Sequence, residues 1–426
     1  MPNIEAGNAF ANERRPERAP ILLEPFRAHR SQVSRRSGRT TNPTSKDQTV
    51  TIHNNVKQFA ISSIGAMTLA VSAGSFAYEL QVGDTTASIY GYVKLDVIYD
   101  FDNALGDTVD RSAPRLEGEE GPNGHFTMHA RESRIGFGTS TPVAGSNLET
   151  TIEGDFYGDS SAFRLRHAYG KWNHLLAGQT WTNFAGFVSS TPLISFTGPT
   201  GRPAVERQPQ LRYTSGKLSM ALENPADEGG QVSAPGAKSQ LPDVTLRYTD
   251  TEGTFHYSFS GVARYLEFDS AGIETPAASD SAFGWGLGAE VAMKVSDDLT
   301  IRGALTHGDG IGGYNQGNPQ IAPAFATSEG ELETIESTGG TLGASLAVGP
   351  GAINAAYSRI TADLDNNPAF LTNDDSYEAA WINYIWSPAL SERISYGIEA
   401  NWNKRETVNG REGYASRVQA MVMYSF

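Results

Sequence analysis

The connections between predicted strands alternate between short and long along most of this chain. After about residue 88 the sequence reads as about sixteen segments of alternating apolar and polar residues, the period expected of β-strands. The short connections lie at residues 141–146, 173–174, 215–217, 251–253, 296–298, 349–351 and 387–390. The long, polar ones lie at residues 101–123, 185–207, 225–241, 268–281, 308–337, 363–374 and 404–412, with a shorter one near 158–161. Up-and-down strands put every second connection on the same side of a membrane, so we predict an all-β fold, a transmembrane antiparallel β-barrel.

The composition is compatible with such a barrel. A hydrophobic fraction of 39% and a mean hydropathy of -0.37 are typical of soluble proteins. A barrel, however, exposes apolar side chains only at alternate positions, over a band about 25 Å tall. The chain contains no cysteine, which excludes disulfides, thiol catalysis and zinc–thiolate sites.

The charge is divided unevenly along the chain. Residues 1–77 have a net charge of +5, the remaining residues have -20, and the whole chain has -15 at pH 7. Nucleic acids bind to basic patches that neutralise phosphates, so we expect no nucleic-acid partner. We expect the acidic loops to be solvated; the less favoured alternative is that divalent cations bridge them to lipopolysaccharide phosphates.

The beginning of the chain contains a predicted secretory signal peptide at residues 50–77. Lys57 precedes the apolar run Phe59–Val71, and small residues then lead to a cleavage site after Ala77. The apolar run is shorter than the about 20 residues that a membrane-spanning helix needs. We therefore expect export to the envelope rather than a helical membrane anchor.

Residues 1–49, which precede this signal, are polar and rich in arginine and show no core-forming pattern. One hypothesis is that translation starts at Val50, from a valine-type alternative start codon, so that the first 49 residues are an artefact. The alternative is a genuine disordered extension. Tryptic peptides from residues 5–46 in the native precursor would exclude the artefact. Residues 78–426 form the predicted barrel.

The last residues alternate in the same way. Val418, Ala420, Val422, Tyr424 and Phe426 share one phase up to the terminal aromatic residue. This ending is typical of the signal that the barrel-assembly machinery recognises on the last strand of outer-membrane barrels. The alternative interpretation is an ordinary terminal strand.

Several segments, taken in order, resemble the DcaP-like family of outer-membrane porins. They are Gly91–Asp100, Ala130–Pro142, Leu148–Gly158, Phe163–Trp172, Leu176–Phe184 and Arg207–Thr214. The similarity extends over residues 88–426 and is densest in the first half. It implies a sixteen-stranded barrel of a Gram-negative outer membrane that is commonly trimeric and passes small anionic solutes such as dicarboxylates. Small outer faces, such as that of residues 339–347, are candidate subunit contacts.

A porin selects solutes at a constriction that an infolded loop usually narrows. The best candidate loop is Ala185–Arg207, because it is less acidic than the other long loops. It also has apolar residues, as expected of a segment packed inside a barrel: Phe187, Val188, Leu193, Ile194 and Phe196.

Arginines in the inward phase are the candidate solute-binding residues. Phe163 and Leu165 take the lipid phase, so their neighbours on the fourth strand point inward. The candidates are Arg164, Arg166, Arg202, Arg207, Arg212, Arg131 and Arg134. The same logic turns Arg247, Arg264 and Arg302 inward. A guanidinium can hold a carboxylate through two parallel hydrogen bonds, so a row of arginines is a plausible track for anions.

A structural role is the alternative for these arginines. We expect roughly half of them to pair with acidic residues such as Glu149, Glu153 and Asp155 on the third strand and to brace the wall. Arg131 and Arg134 are three residues apart, so they cannot share a face of a regular strand unless a bulge intervenes.

The sequence predicts neither a metal site nor an enzyme. The stretch Asp363–Pro368 begins like a calcium loop but lacks the glycine at its sixth position and has Asp374 where a glutamate is expected. The histidines are scattered and no serine lies in a nucleophile motif. We therefore predict no cofactor and a passive porin for small hydrophilic solutes with a preference for anions. The alternatives are a barrel for surface interaction or envelope integrity with an occluded pore, and an outer-membrane hydrolase.

Overall fold

The computed structural model describes residues 77–225, 229–364 and 367–426, all of which belong to one compact unit. The predicted extension, residues 1–49, and nearly all of the predicted signal peptide, residues 50–77, lie outside the described residues. Within the described residues, no helix is long and apolar enough to cross a membrane.

In the part of the chain that the structure describes, sixteen antiparallel strands form the wall. They are β1 Thr85–Asp100, β2 His125–His129 continued by Arg134–Val143, β3 Ser146–Asp155, β4 Arg164–Trp172, β5 Leu175–Trp181, β6 Arg207–Ser215, β7 Leu218–Glu223, β8 Asp243–Glu252, β9 Phe255–Asp269, β10 Ser279–Lys294, β11 Leu299–Asp309, β12 Glu336–Val348, β13 Gly351–Ala362, β14 Asp374–Trp386, β15 Ile394–Thr407 and β16 Glu412–Ser425. Each strand pairs with its neighbour in sequence, as predicted.

The sheet closes on itself through its first and last strands. The register of β1 and β16 runs from Tyr92 opposite Ser425 to Asp100 opposite Arg417. The Phe426 N–H then donates to the Gly91 carbonyl at 3.0 Å, so the terminal residue completes this seam. Closure satisfies every strand edge, which a sheet in lipid requires because an unpaired backbone group there costs several kcal/mol. The predicted closed barrel is confirmed.

Turns and loops lie on opposite ends of the barrel, as the alternation predicted. The long connections are numbered here as loop 1 (101–124), loop 2 (156–163), loop 3 (182–206), loop 4 (224–242), loop 5 (270–278), loop 6 (310–335), loop 7 (363–373) and loop 8 (408–411). Loop 6 contains a small hairpin, Ala324–Ala326 paired with Leu332–Thr334. Loops 1, 3 and 6 are the longest, and all three emerge at the same end.

The two faces of the wall differ in chemistry, which confirms the predicted alternation. On β1 the outward Val93 is 54% exposed, whereas the inward Lys94 and Asp96 are fully buried. At the short-turn end the rings of Trp386 and Tyr396 stack at 5.6 Å. Aromatic side chains in such a girdle lie at the border between lipid and water.

Candidate pore constriction

Loop 3 folds into the barrel and is held there by a carboxylate on the inner face of β10. Glu290 accepts hydrogen bonds from the Gly186 N–H at 2.6 Å and from the Ser189 hydroxyl at 2.7 Å. Charge-assisted hydrogen bonds of this kind are about twice as strong as those between neutral groups. Glu290 therefore fixes the first part of the loop across the lumen from β5, where the loop begins.

A second carboxylate, on β15, holds the middle of the loop. Glu399 accepts hydrogen bonds from the N–H groups of Ile194 at 2.7 Å and Ser195 at 3.0 Å. The Lys94 ammonium on β1 donates to the Ile194 carbonyl at 2.9 Å. Charged groups of the wall thus bind both the N–H and the carbonyl of Ile194.

Glycines on the inner face of β12 let the returning part of the loop approach the wall. A side chain at Gly339 would place its Cβ 2.3 Å from the Gly201 Cα, which is closer than real Cβ atoms come to other atoms. Gly343 similarly makes room for the Thr191 hydroxyl. The small residues of 339–347 were predicted to offer a flat outer face for subunit contact. Gly339 and Gly343 lie in the inward phase of this strand and face loop 3, so the outer face consists of the alternate residues and its role in subunit contact stays a prediction.

Loop 6 joins loop 3 inside the lumen. The Gly201 N–H donates to the Gln316 carbonyl at 2.8 Å, and the Gln316 N–H donates to the Arg202 carbonyl at 2.9 Å. The Tyr314 hydroxyl donates to Asp243 on β8 at 3.1 Å. Two loops therefore narrow the pore, whereas the sequence indicated only one.

Two of the candidate arginines are neutralised by acidic neighbours on β3. Arg164 holds Asp155 with two hydrogen bonds of 3.0 and 2.8 Å. Arg166 is 1% exposed and bonds to Glu153 and Asp155, both at 2.9 Å. A bulge opposite Glu153 accommodates Arg166 in the register of β3 and β4. These arginines brace the wall, in the structural role considered as the alternative.

Arg131 and Arg134 are separated by a break in β2 at residues 130–133, rather than by a simple bulge. Arg131 bonds to Asp107 of loop 1 at 2.5 Å. Arg134 lies 3.3 Å from Glu153. Glu149, the third predicted acidic partner, instead lies 3.4 Å from the ammonium of Lys171. The four residues of the break allow both arginines to find carboxylates in different directions.

The other inward arginines contact neutral groups. Arg207 lies over the Trp181 ring, with its guanidinium carbon 4.6 Å from the centroid. Arg212 donates to Gln210 at 2.8 Å, Arg302 donates to Ser345 at 2.7 Å, and Arg247 donates to the Ala185 carbonyl. Among the described residues, no carboxylate lies within 4.0 Å of the guanidinium nitrogens of Arg207, Arg212, Arg247 or Arg302.

The last two inward arginines, Arg264 and Arg202, differ in whether a carboxylate pairs with them. Arg264 is 2% exposed and bonds to Asp243 at 3.0 Å, so it is a bracing residue. Arg202 of loop 3 donates to the Ser190 hydroxyl at 2.8 Å and has no carboxylate within the same 4.0 Å limit in the described part of the chain.

Known proteins share this architecture. A sequence model of the family described as DcaP outer membrane protein matches residues 66–316. Among solved structures, the crystal structure of the outer membrane channel DcaP of Acinetobacter baumannii has 25% sequence identity and a TM-score of 0.70. This match covers 81% of this chain and 99% of that chain.

More distant barrels share the fold alone. An anion-selective porin from Comamonas acidovorans has 14% identity and a TM-score of 0.54, over 80% of this chain and 100% of that chain. The outer-membrane expressed OmpT of Vibrio cholerae has 12% identity and a TM-score of 0.53, over 82% of this chain and 100% of that chain. Among curated proteins no match was found.

The matching region extends from before the barrel to loop 6, and the closed barrel with its infolded loop is that of an outer-membrane porin. The location that follows is the outer membrane of a Gram-negative bacterium. The chain belongs to the DcaP family of outer-membrane proteins.

Proposed function

We propose that this porin passes small hydrophilic solutes by diffusion and prefers anions such as dicarboxylates. The observation that carries the proposal is the group of inward arginines that contact only neutral side chains, backbone carbonyls or an aromatic ring: Arg207, Arg212, Arg247 and Arg302. An uncompensated charge attracts anions, whereas a salt bridge contributes only a weak field.

The hydrogen bonds and ion pairs of the inward carboxylates add to the proposed preference for anions. Glu290 and Glu399 accept hydrogen bonds from loop 3, and Glu223 on β7 accepts one from the Thr182 hydroxyl at 2.7 Å. Asp100 on β1 pairs with Arg417 at 2.6 Å. The oxygens of these carboxylates are therefore directed at the loops or at a bracing cation, whereas the four arginines contact no carboxylate. Contacts with single arginines are weak enough to release it again.

The test is the reversal potential of the refolded protein in a planar bilayer under a potassium chloride gradient. Arg212→Gln and Arg247→Gln should each lower the chloride-to-potassium permeability ratio about two- to threefold. A unit charge about 6–10 Å from an ion in water contributes about 0.4–0.7 kcal/mol, which corresponds to that factor. Arg359→Gln is the matched control, because Arg359 lies on the outward face of β13, where it pairs with Glu378 at 3.2 Å.

Three results would contradict the proposal. Cation selectivity of the unmodified protein would mean that the acidic loops determine which ions pass. An equal fall of the permeability ratio in Arg359→Gln would mean that the net charge of the protein, rather than the position of the arginines, determines the selectivity. Absence of conductance would favour the barrel with an occluded pore, whose role would lie in surface interaction or envelope integrity. Hydrolysis of lipid or peptide substrates would favour the enzyme, which we do not expect.

The short strands in one part of the wall support a homotrimer. β5 has seven residues and β7 has six, whereas a tilted membrane strand needs about 9–11. A second subunit that covers this part of the wall would remove the mismatch with the lipid. We expect a trimeric mass in mild detergent by light scattering, and a monomeric mass would overturn this assignment. The assembly machinery, through Phe426, and lipopolysaccharide are the other partners that we propose.

A further inference from the structure

Two guanidinium groups from different loops meet at Gly198 of loop 3. Arg111 of loop 1 donates to the Gly198 carbonyl at 2.6 Å. A Cβ built on Gly198 would lie 3.8 Å from a terminal guanidinium nitrogen of Arg202. Arg202 belongs to loop 3 itself and is 5% exposed. The two cations therefore lie beside the same glycine and act on each other electrostatically.

Neither guanidinium has the partners that a buried arginine normally has. The Nε of Arg111 and the Nε of Arg202 are both buried and have no hydrogen-bond acceptor. In the described ranges, no carboxylate lies within 4.0 Å of either group. A buried charge left without a counter-charge is strongly destabilising, so two adjacent ones indicate that an anion completes the site.

An arginine side chain stays protonated in proteins, so both groups are cations at neutral pH. Burial lowers the pKa of Arg111 to about 10, and burial also lowers the pKa of Arg202. Carboxylates beyond ion-pair distance oppose the lowering of the pKa: Glu290 and Glu206 act on Arg202, and Glu206 and Asp110 act on Arg111. The site is thus positive, with only partial compensation from its surroundings.

A second glycine makes room for the Arg111 guanidinium. A Cβ at Gly317 of loop 6 would lie 3.1 Å from the Arg111 Cζ. The φ of Gly317 is +69°, a left-handed conformation that favours glycine. Loops 1, 3 and 6 therefore meet at Arg111, which is partly exposed and offers a route to the pair.

We propose that Arg111 and Arg202 form a discrete binding site for one carboxylate group at the long-loop entrance of the pore. Two guanidinium groups beside the same glycine, each with an Nε that lacks an acceptor, suit a carboxylate, whose two oxygens can accept a hydrogen bond from each. The inference rests on the proposed passage of anions and adds to it. Transport of a carboxylate solute saturates at this site, whereas the arginines deeper in the wall only bias diffusion.

The test is single-channel conductance as a function of succinate concentration, with sodium as the cation and acetate and inorganic phosphate as comparison anions. The unmodified protein should show a conductance that saturates. Arg111→Gln combined with Arg202→Gln should raise the half-saturating concentration at least about tenfold, the loss expected for one charge-assisted hydrogen bond. Arg115→Gln, on the same loop as Arg111, removes one positive charge from the entrance and should leave half-saturation unchanged.

A conservative double variant distinguishes loss of the site from a folding defect. Arg111→Lys combined with Arg202→Lys keeps both charges but loses the planar fork, and should raise half-saturation severalfold. Linear succinate conductance in the unmodified protein, or equal half-saturation in all four proteins, would overturn the site. Tighter saturation by phosphate than by succinate would overturn the assignment to carboxylates. The reversal potential in potassium chloride tests anion preference separately, so an anion-selective channel with unsaturable succinate conductance would exclude only the site.

Discussion

Replacement of Glu399 by alanine should release the middle of loop 3 from the wall of the barrel. This carboxylate accepts hydrogen bonds from two successive backbone N–H groups, those of Ile194 and Ser195, and from the Asn383 amide at 3.0 Å. Each hydrogen bond to a charged group contributes about 1.5–3 kcal/mol. Loss of the two backbone bonds should therefore destabilise the docked loop by about 3–6 kcal/mol.

The amides of Ile194 and Ser195 provide the readout. Their hydrogen exchange should accelerate at least about a hundredfold, because 3 kcal/mol of opening free energy corresponds to more than that factor. Glu399→Gln keeps one acceptor oxygen and should give an intermediate rate. The freed loop should also add low-frequency noise to the single-channel current.

Glu378→Ala is the matched control for this change. Glu378 lies on the outward face of β14, where it pairs with Arg359 and lies outside the lumen. Exchange of the loop 3 amides should not respond to it. Equal protection of Ile194 in Glu399→Ala and in the unmodified protein would mean that packing, rather than the carboxylate, holds the loop.

The sequence predicts the wall well because its period is short and local. A strand residue faces outward or inward according to its phase alone, so the burial of Lys94 and the exposure of Val93 follow from the alternation. The same is true of the infolded loop, whose apolar residues signal burial: Ile194 is 1% exposed and Leu193 is 6% exposed. Connection lengths depend only on where the alternation stops.

Contacts between distant parts of the chain could not be predicted in this way. Whether Arg166 or Arg212 meets a carboxylate depends on the relative register of neighbouring strands, and a bulge on β4 decides it for Arg166. The anchors Glu290 and Glu399 lie about 100 and 200 residues from the loop that they hold. The only sequence signal for each anchor is a single carboxylate at an inward-facing position of its strand. Arg111 was missed because loop 1 was taken as a solvated acidic segment.

The glycines of β12 show how the wall and loop 3 depend on each other, and they give a sharp prediction. Gly339→Ala introduces a methyl group 2.3 Å from the Gly201 Cα and 3.2 Å from its carbonyl oxygen. Both contacts are with backbone, so no side-chain rotation relieves them and the loop must move by about 1 Å. Overpacking of this kind costs about 1–3 kcal/mol.

The displaced segment contains bonds whose loss can be measured. The Thr200 N–H donates to the Ser358 hydroxyl at 3.1 Å, and the Gly201 N–H donates to the Gln316 carbonyl at 2.8 Å. Exchange of these two amides should accelerate about 5- to 150-fold in Gly339→Ala, the factor that corresponds to 1–3 kcal/mol. Single-channel conductance should change with it, since the loop narrows the pore.

The adjacent glycine separates this effect from a general weakening of β12. A methyl group at Gly340 points to the other face of the strand, where it meets the end of the Leu305 side chain at 3.0 Å and the Ala304 carbonyl oxygen at 3.3 Å. The leucine can rotate away on the outer surface, and the carbonyl needs a shift of only a few tenths of an ångström. Gly340→Ala should therefore leave the exchange of Thr200 and the conductance unchanged. Both variants alter the backbone of the strand equally, because each replaces one glycine by alanine at successive positions. If the two behaved alike, the close approach of Gly339 to loop 3 would not be what positions the constriction.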